Sequence, residues 1–430
     1  MKNKFSWTSF VCLLLWSVAS VPLMATPVST LPVITANTGN RLSFSLPELV
    51  SVILVHNPAL QVARNVREQA AVGITTAAAL PNPRLEWSDG RQSAVTPSGS
   101  SGAVTAWGLS QLIENPSLRR ARMDAAGHVL RGSEAQSGLT RSVVAAQVRE
   151  RAYEYLLRIE EAQAAREALA LLEQMRERVR VRVGSGEAGR YEIIKADAEF
   201  SSANQRQQSS QLAVEQARIR LNQLAAGQLP QGWTLRASLD DGLPTLQRQQ
   251  LREQLLANNP ELRGLGAEVE RQKARLREAR ASGWPGVELR YAQIRQPDSH
   301  QGVLGVSIQI PLLDQRQGPR QEAETELIRA RIRIEGRQAE LLLQLDSAWT
   351  ALEMARLRVE ALGGGAVREA EAVLRVAEAA YRYGERGILD VLDAQRVLRT
   401  VRADLLQARF QLQTAAIEID VLSGRDATQP

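Results

Sequence analysis

AAYRYGERGILDVLDAQRVLRTVRADLLQARFQLQTAAIEIDVLS, residues 379–423, decides the fold. From Val391 the apolar residues step by three and four: Val391, Ala394, Leu398, Val401, Leu405, Ala408, Leu412, Ala415, Ile419, Leu422. That spacing keeps one seam turned toward a partner helix. Arg, Asp, Glu and Gln fill most of the remaining surface, so the wet face is specified as well. Just before the seam, Tyr383-Gly384-Glu385-Arg386-Gly387 reads as a turn. The stretch is a turn leading into a coiled-coil helix of about 35 residues, on the order of 50 Å long.

The pattern occurs twice. At 198 positions earlier lie Gly184-Ser185-Gly186-Glu187-Ala188-Gly189, then Ile193, Ala196, Phe200 and Ala203, and later Val214, Ala217, Leu221 and Leu224. Gln207 and Ser210 interrupt this earlier seam. Asn259-Pro260 follows Asn57-Pro58 by 202 positions, and Pro285 follows Pro83 by the same interval. The chain is a tandem duplication.

The first repeat covers residues 45–227. Ser45 with Glu48 makes a capping box, and Pro47 fits the first helical turn. Asn57-Pro58 interrupts and restarts the helix, and Leu80-Pro81-Asn82-Pro83 stops it. Residues 84–113 then alternate apolar and polar, as in Leu85-Glu86-Trp87-Ser88 and Val104-Thr105-Ala106-Trp107, around a Gly/Ser/Pro loop. Two strands of about ten residues make a hairpin. A helix from Ser117 to Val183 would be about 100 Å long. Val148, Ala152, Tyr155, Ile159 and Ala162 mark its seam. Residues 228–247 form a Pro/Gly-punctuated connector in which Thr234–Ala237 reads as a short strand.

The second repeat, residues 248–424, copies this order. Its hairpin spans 286–311, with Val287–Ala292 and Leu304–Ile310 alternating. The long helix that follows carries Leu345, Ala348, Leu352, Ala355, Val359 and Leu362 on its seam. Gly363-Gly364-Gly365 then reads as a kink or short break, since each glycine costs about 1 kcal/mol against alanine in a helix. Residues 425–430 are a tail.

Composition narrows the function. Only 4% of the 430 residues are aromatic, too few for an ordinary large globular core. Net charge is +6, but 53 basic and 47 acidic residues are interleaved, which is the pattern of solvated helix faces. Nothing points to nucleic acid, which would need a basic stretch with interleaved aromatics. His56, His128 and His300 are scattered, and no nucleophile elbow, phosphate loop or metal-ligand spacing is present, so neither an enzyme nor a cofactor or metal site is expected.

Lys2 and Lys4, an apolar run from Phe10 to Val21, and Pro22-Leu23-Met24-Ala25 read as a signal peptide, residues 1–25, cleaved after Ala25 or Ala19. The alternative is a retained anchor. Residues 26–44 are an irregular lead-in. Cys12, the one cysteine, lies inside the apolar run and lacks a lipoprotein-like context. No later segment holds 18 consecutive apolar residues, so a mature chain that enters a membrane must use strands.

Each repeat is thus helix, hairpin, very long helix, turn, helix. One reading of the hairpins is a pair of solvent-facing caps on a coiled coil. The other is a membrane sheet, apolar outward, with Trp87, Trp107, Trp284 and Tyr291 as interface aromatics. Four strands cannot close a barrel, so the second reading forces oligomerisation. Three chains of four strands give twelve around one axis.

At this point the chain resembles the TolC-type outer membrane efflux factors over nearly its whole mature length. The signature is Tyr381-x-x-Gly384-x-Arg386-x-x-x-Asp390-Val391-Leu392-Asp393-Ala394, which resembles the family's turn at the periplasmic mouth. Gly108–Gln111 and Gly305–Pro311 resemble its strand ends. Ile113-Glu114-Asn115-Pro116 with Arg119-Arg120-Ala121 is most similar to the CzcC-like heavy-metal cation branch. The resemblance implies a mainly α fold with membrane β: a homotrimer whose long antiparallel coiled-coil helices form a periplasmic α-barrel below a 12-stranded barrel in outer membrane lipid. It implies docking on a periplasmic adaptor, the membrane fusion protein, and an inner-membrane RND pump. The chain would be a passive conduit.

The resemblance further implies a gate at the periplasmic mouth made by Tyr381, Arg386, Asp390 and Asp393. Glu192 and Lys195 stand at the positions of the two aspartates in the first repeat, and Ala188 at that of Arg386. Acidic rings filter ions. The bland alternative is that Asp390 and Asp393 only complement the positive end of their helix. Gly184, Gly186, Gly384 and Gly387 form the tip turns, where a partner would dock. The competing function is a periplasmic coiled-coil interaction protein or adaptor without a pore.

Overall fold

The computed structural model describes residues 43–97, 99–243 and 247–425. The expected signal peptide, most of the lead-in and all of the tail after Arg425 lie outside the described residues.

The first repeat contains α1 (Leu46–His56), α2 (Pro58–Ala78), β2 (Arg84–Gln92), β3 (Gly102–Ile113), α3 (Pro116–Gly184) and α4 (Arg190–Leu224). The second contains α5 (Arg248–Asn258), α6 (Pro260–Ala281), β5 (Val287–Arg295), β6 (His300–Ile308), α7 (Gln317–Ala361), α8 (Val367–Arg382) and α9 (Ile388–Ser423). The capping box forms as the sequence requires: Glu48 N–H donates to Ser45 Oγ and Ser45 N–H donates to Glu48 Oε2 at 2.7 Å.

Two short strands join the repeats' margins. β1 (Ser43–Ser45) pairs in parallel with β4 (Thr234–Arg236). Ser43 and Phe44 therefore belong to a strand, not to the irregular lead-in. Parallel pairing over such a sequence separation leaves no local signal. The connector is likewise part of the core: Leu229, Trp233 and Leu239 are buried, and Trp233 packs at 5.2 Å against Tyr155 of α3.

The glycine triplet neither breaks nor interrupts the helix. Leu362–Ala366 form one π-helical turn between α7 and α8, with Val367 N–H donating to the Leu362 carbonyl. Arg368 also donates to the Gly364 carbonyl. Glycine admits the wider turn because no Cβ crowds it.

The Asn-Pro steps are anchors as well as restarts. Asn57 caps α2 and donates to the Leu224 carbonyl at the end of α4, at 2.9 Å. Asn259 caps α6 and donates to the Leu422 carbonyl at the end of α9, also at 2.9 Å. Both are buried. Asn115 caps α3 and donates to the Ala281 carbonyl of α6 at 3.1 Å, tying one repeat to the other.

The seam read from residues 391–422 is the buried one, with Val401 and Leu412 half-covered. However, α9 also buries Gln395, Gln413 and Ile417 on a second side. There Ile417 joins Tyr153, Leu156 and Leu157 of α3, so α9 serves two neighbours where a heptad announces one.

The hairpins merge into one antiparallel sheet, ordered β2-β3-β5-β6. The register sorts its faces. Leu85, Leu109, Tyr291 and Leu304 lie in one row, Trp87, Trp107 and Gln293 in the next, and Val287 pairs with Ile308 two rows the other way. Beyond the Trp row come Asp89, Arg295 and His300. One face is thus an apolar band of roughly 20 Å along the strands, with aromatics at its edge. Trp107 meets Tyr291 edge-on at 5.5 Å and donates to Gln293 at 3.0 Å. The opposite face carries Glu86, Ser88, Arg290 and Gln301, and Arg290 pairs with Glu86 at 2.6 Å. Leu304 is 80% exposed and Leu85 74%. Among the described residues, no single helix is long and apolar enough to cross a membrane.

Candidate channel gate

Two equivalent turns build the helical tip. After α3, Gly186 takes the left-handed conformation (φ 82°), and after α8 Gly384 does the same (φ 78°). In each the chain closes a Schellman pair. Glu187 N–H donates to Arg182 O and Gly186 N–H to Val183 O; Glu385 N–H donates to Ala380 O and Gly384 N–H to Tyr381 O. Gly189 and Gly387 then take the N-cap positions of α4 and α9 with extended backbone. Gly184 is the last residue of α3 and needs no special conformation.

Tyr381 faces inward. It is 4% exposed and packs with Val179 and Ile388. The Arg182 guanidinium covers its ring at 4.9 Å. The Tyr381 hydroxyl and Glu192 Oε2 are both buried without a hydrogen-bond partner among the described residues. Burial pushes the Tyr381 phenol above the usual tyrosine range, the Glu192 carboxylate adds to the rise, and Arg182 opposes it.

The other sequence-expected residues surround this core. Asp390, in the first turn of α9, pairs with Arg386 at 3.4 Å. Asp393 is 78% exposed at its side chain and lies 3.5 Å from Arg396, which also reaches Glu199 of α4 at 2.9 Å. Glu192 sits in the first turn of α4, and Lys195 is half-buried one turn further on. The structure therefore brings Tyr381 and Glu192 together across the repeats, and keeps Arg386 in the turn before α9 and Asp390 and Asp393 on the wet start of that helix.

Sequence reading missed Arg182, Glu199 and Arg396. Arg182 is signalled only by its place one residue before Val183, the position that Tyr381 occupies in the second repeat.

Residues 251–425 match the model of the family Outer membrane efflux protein. The chain is 26% identical over 357 residues to the cobalt-zinc-cadmium resistance protein CzcC of Cupriavidus metallidurans, covering 82% of this chain and 83% of that protein. In sequence and fold it is similar to the TolC-type outer membrane efflux proteins. Solved structures share the fold. The transmembrane channel protein CusC matches with a TM-score of 0.76 at 19% identity, over 88% of this chain and 92% of that one. The open-state MtrE outer membrane channel of Neisseria gonorrhoeae matches at 0.75 and 20%, over 90% and 91%.

The family match covers the second repeat and stops short of the first. The two tips differ accordingly: Tyr381, Arg386, Asp390 and Asp393 face Val183, Ala188, Glu192 and Lys195. Among the described residues, no group of three His, Cys, Asp or Glu side chains is placed to hold a metal ion. The family match and the apolar sheet face agree with an outer membrane location.

Proposed function

We propose that the chain is the outer membrane conduit of a tripartite efflux system, exporting heavy-metal cations after signal-peptide cleavage. Three copies supply the 12 strands of a closed barrel, with β6 of one copy pairing to β2 of the next. The single observation that carries this is the sheet. It has one apolar face, one polar face, and outer strands β2 and β6 that each pair with only one strand among the described residues. Open edges are not tolerated in lipid, and cyclic closure removes them. A pore-free coiled-coil scaffold gives no reason for such a face.

The helices extend away from the sheet to the Gly186 and Gly384 turns, which we assign to docking on a periplasmic adaptor and its RND pump. Tyr381, Glu192, Arg386, Asp390, Asp393 and Lys195 form the gate at that end. Similarity to a cobalt-zinc-cadmium resistance protein supports divalent cations as cargo. The chain guides them with exposed carboxylates and does not hold them.

Cargo is tested in cells lacking the gene, challenged with zinc, cobalt and cadmium salts and separately with lipophilic drugs. The proposal predicts metal sensitivity and metal accumulation reversed by the wild-type chain. Drug sensitivity with unchanged metal tolerance would contradict the cation assignment and leave the conduit.

A further inference from the structure

Midway along the helices, a cavity of about 360 Å³ opens between the α3–α4 pair and the α8–α9 pair. Its apolar lining includes Ala164, Ala168, Ala203, Leu374 and Leu398. Small residues of α3 and α4, Ala164, Ala165, Ala168 and Ala203, leave the void open. Ala165 lies 198 positions before Gly363, while Arg166 and Glu167 stand at the positions of Gly364 and Gly365. Next to the cavity wall residue Leu406, Leu405 packs 3.7 Å from where a Cβ on Gly363 would stand.

Three guanidiniums line the same cavity: Arg206, Arg399 and Arg402. Arg402 is engaged, at 2.7 Å from Glu371 and 3.7 Å from Glu167. Arg206 donates to Ser202 Oγ at 2.7 Å. Glu199, whose charge favours Arg399, is bound by Arg396, and the carboxylates in the cavity lining are engaged too, Glu161 by Arg158 at 2.7 Å and Glu167 by Arg402. Arg399 makes no hydrogen bond or ion pair among the described residues. Burial pushes its guanidinium below the usual arginine range, and the like charge of Arg206 adds to that. A half-buried cation beside a second cation and above an apolar floor is a demanding arrangement to leave uncompensated.

We propose that this cavity binds an amphipathic organic anion, with its apolar body against Ala164, Ala168, Ala203, Leu374 and Leu398 and its charged head on Arg399 and Arg206. The site is distinct from the tip and from the membrane sheet. Leu374 of α8 forms part of its wall, and α8 carries Tyr381. An occupied cavity therefore limits how far α8 moves toward α3 and α4.

Equilibrium dialysis of the full-length protein in non-ionic detergent tests the site. The probes are naphthalene-2-sulfonate, the uncharged naphthalene-2-sulfonamide and a naphthyl trimethylammonium ion. The proposal predicts saturable binding of the sulfonate, weakened by about tenfold or more in Arg399→Gln, since a charge-assisted hydrogen bond is lost. Filling the void with Ala165→Leu abolishes binding, and the two other probes bind far more weakly. Circular dichroism melting checks that each variant is folded, and Arg206→Gln gives a second, milder test of the head group. Equal binding of all three probes, or sulfonate binding unchanged in Arg399→Gln and in Ala165→Leu, overturns the proposal. None of these readouts depends on channel activity, so the conduit stands or falls separately.

Discussion

The Arg182 guanidinium lies over the ring of Tyr381, 4.9 Å from its centroid. Arg182 belongs to α3 and Tyr381 to α8, so this contact joins the two repeats at the tip. The Tyr381 hydroxyl is buried with Arg182 beside it but without a well-formed hydrogen bond among the described residues, which makes it a costly group to bury. Tyr381→Phe removes the orphaned group and keeps the ring, and is expected to be neutral or stabilising by up to about 1 kcal/mol. Tyr381→Ala should cost about 3–5 kcal/mol by leaving a cavity. Hydrogen exchange at the tip amides reads both.

The same residue sets a pH limit. Its folded pKa is raised above the unfolded tyrosine value, so the neutral phenol favours folding. That contribution is complete below the ordinary tyrosine range and is lost as pH rises through the raised value. Phenolate absorbance of wild type minus Tyr381→Phe should show the lost tyrosine titrating above the ordinary tyrosine range, as burial requires. A difference signal within the ordinary range would contradict the buried placement.

Asn57 and Asn259 each satisfy a helix start and a distant helix end with one amide. Asn259→Ala leaves both the α6 amides and the Leu422 carbonyl unpaired, and should destabilise by about 1–3 kcal/mol. Asn57→Ala should do the same in the first repeat. Chemical denaturation of detergent-held protein measures each loss, and the two sites should respond independently.

The helix ends carry an asymmetry that a repeat exposes. Gly424 takes the left-handed conformation at φ 68°, and the equivalent position in the first repeat is Ala226 at φ 51°. Ala226→Gly should therefore stabilise by up to about 1 kcal/mol, because alanine is strained there. Gly424→Ala should be markedly destabilising, since its Cβ would stand 2.7 Å from the Asn258 carbonyl. Thermal melting of the pair checks both signs.

The sheet faces give a position-specific test of the membrane reading. Leu304 lies on the apolar face and Gln301 on the other. Leu304→Arg should cost about 2–4 kcal/mol of membrane folding if its row sits near the midplane. Gln301→Arg should leave assembly intact. Recovery in the outer membrane fraction distinguishes them, and equal recovery would remove the lipid-facing assignment.

Much of this architecture was legible because its rules are local. The heptad from Val391 to Leu422, the two Asn-Pro steps and the paired Gly turns each announce themselves within a few residues. The strands were legible by alternation, including the outward set that contains Trp87, Trp107 and Tyr291. What escaped was non-local. The β3–β5 pairing that fuses the hairpins, the parallel β1–β4 pair and the second buried side of α9 depend on contacts that periodicity does not encode. The glycine triplet was seen, but not that it widens one turn rather than breaking the helix. At the proposed gate, Tyr381 stood out by its place in the turn, whereas its partner Arg182 is one arginine among many on α3.

The most direct test of the conduit is conductance across a planar bilayer, comparing purified wild type with Asp390→Ala/Asp393→Ala. A conduit gives stable channels of trimer size, with cation preference or gating altered in the double variant. Well-folded protein that forms no channel would contradict the conduit itself, and channels indifferent to the substitution would contradict the acidic gate.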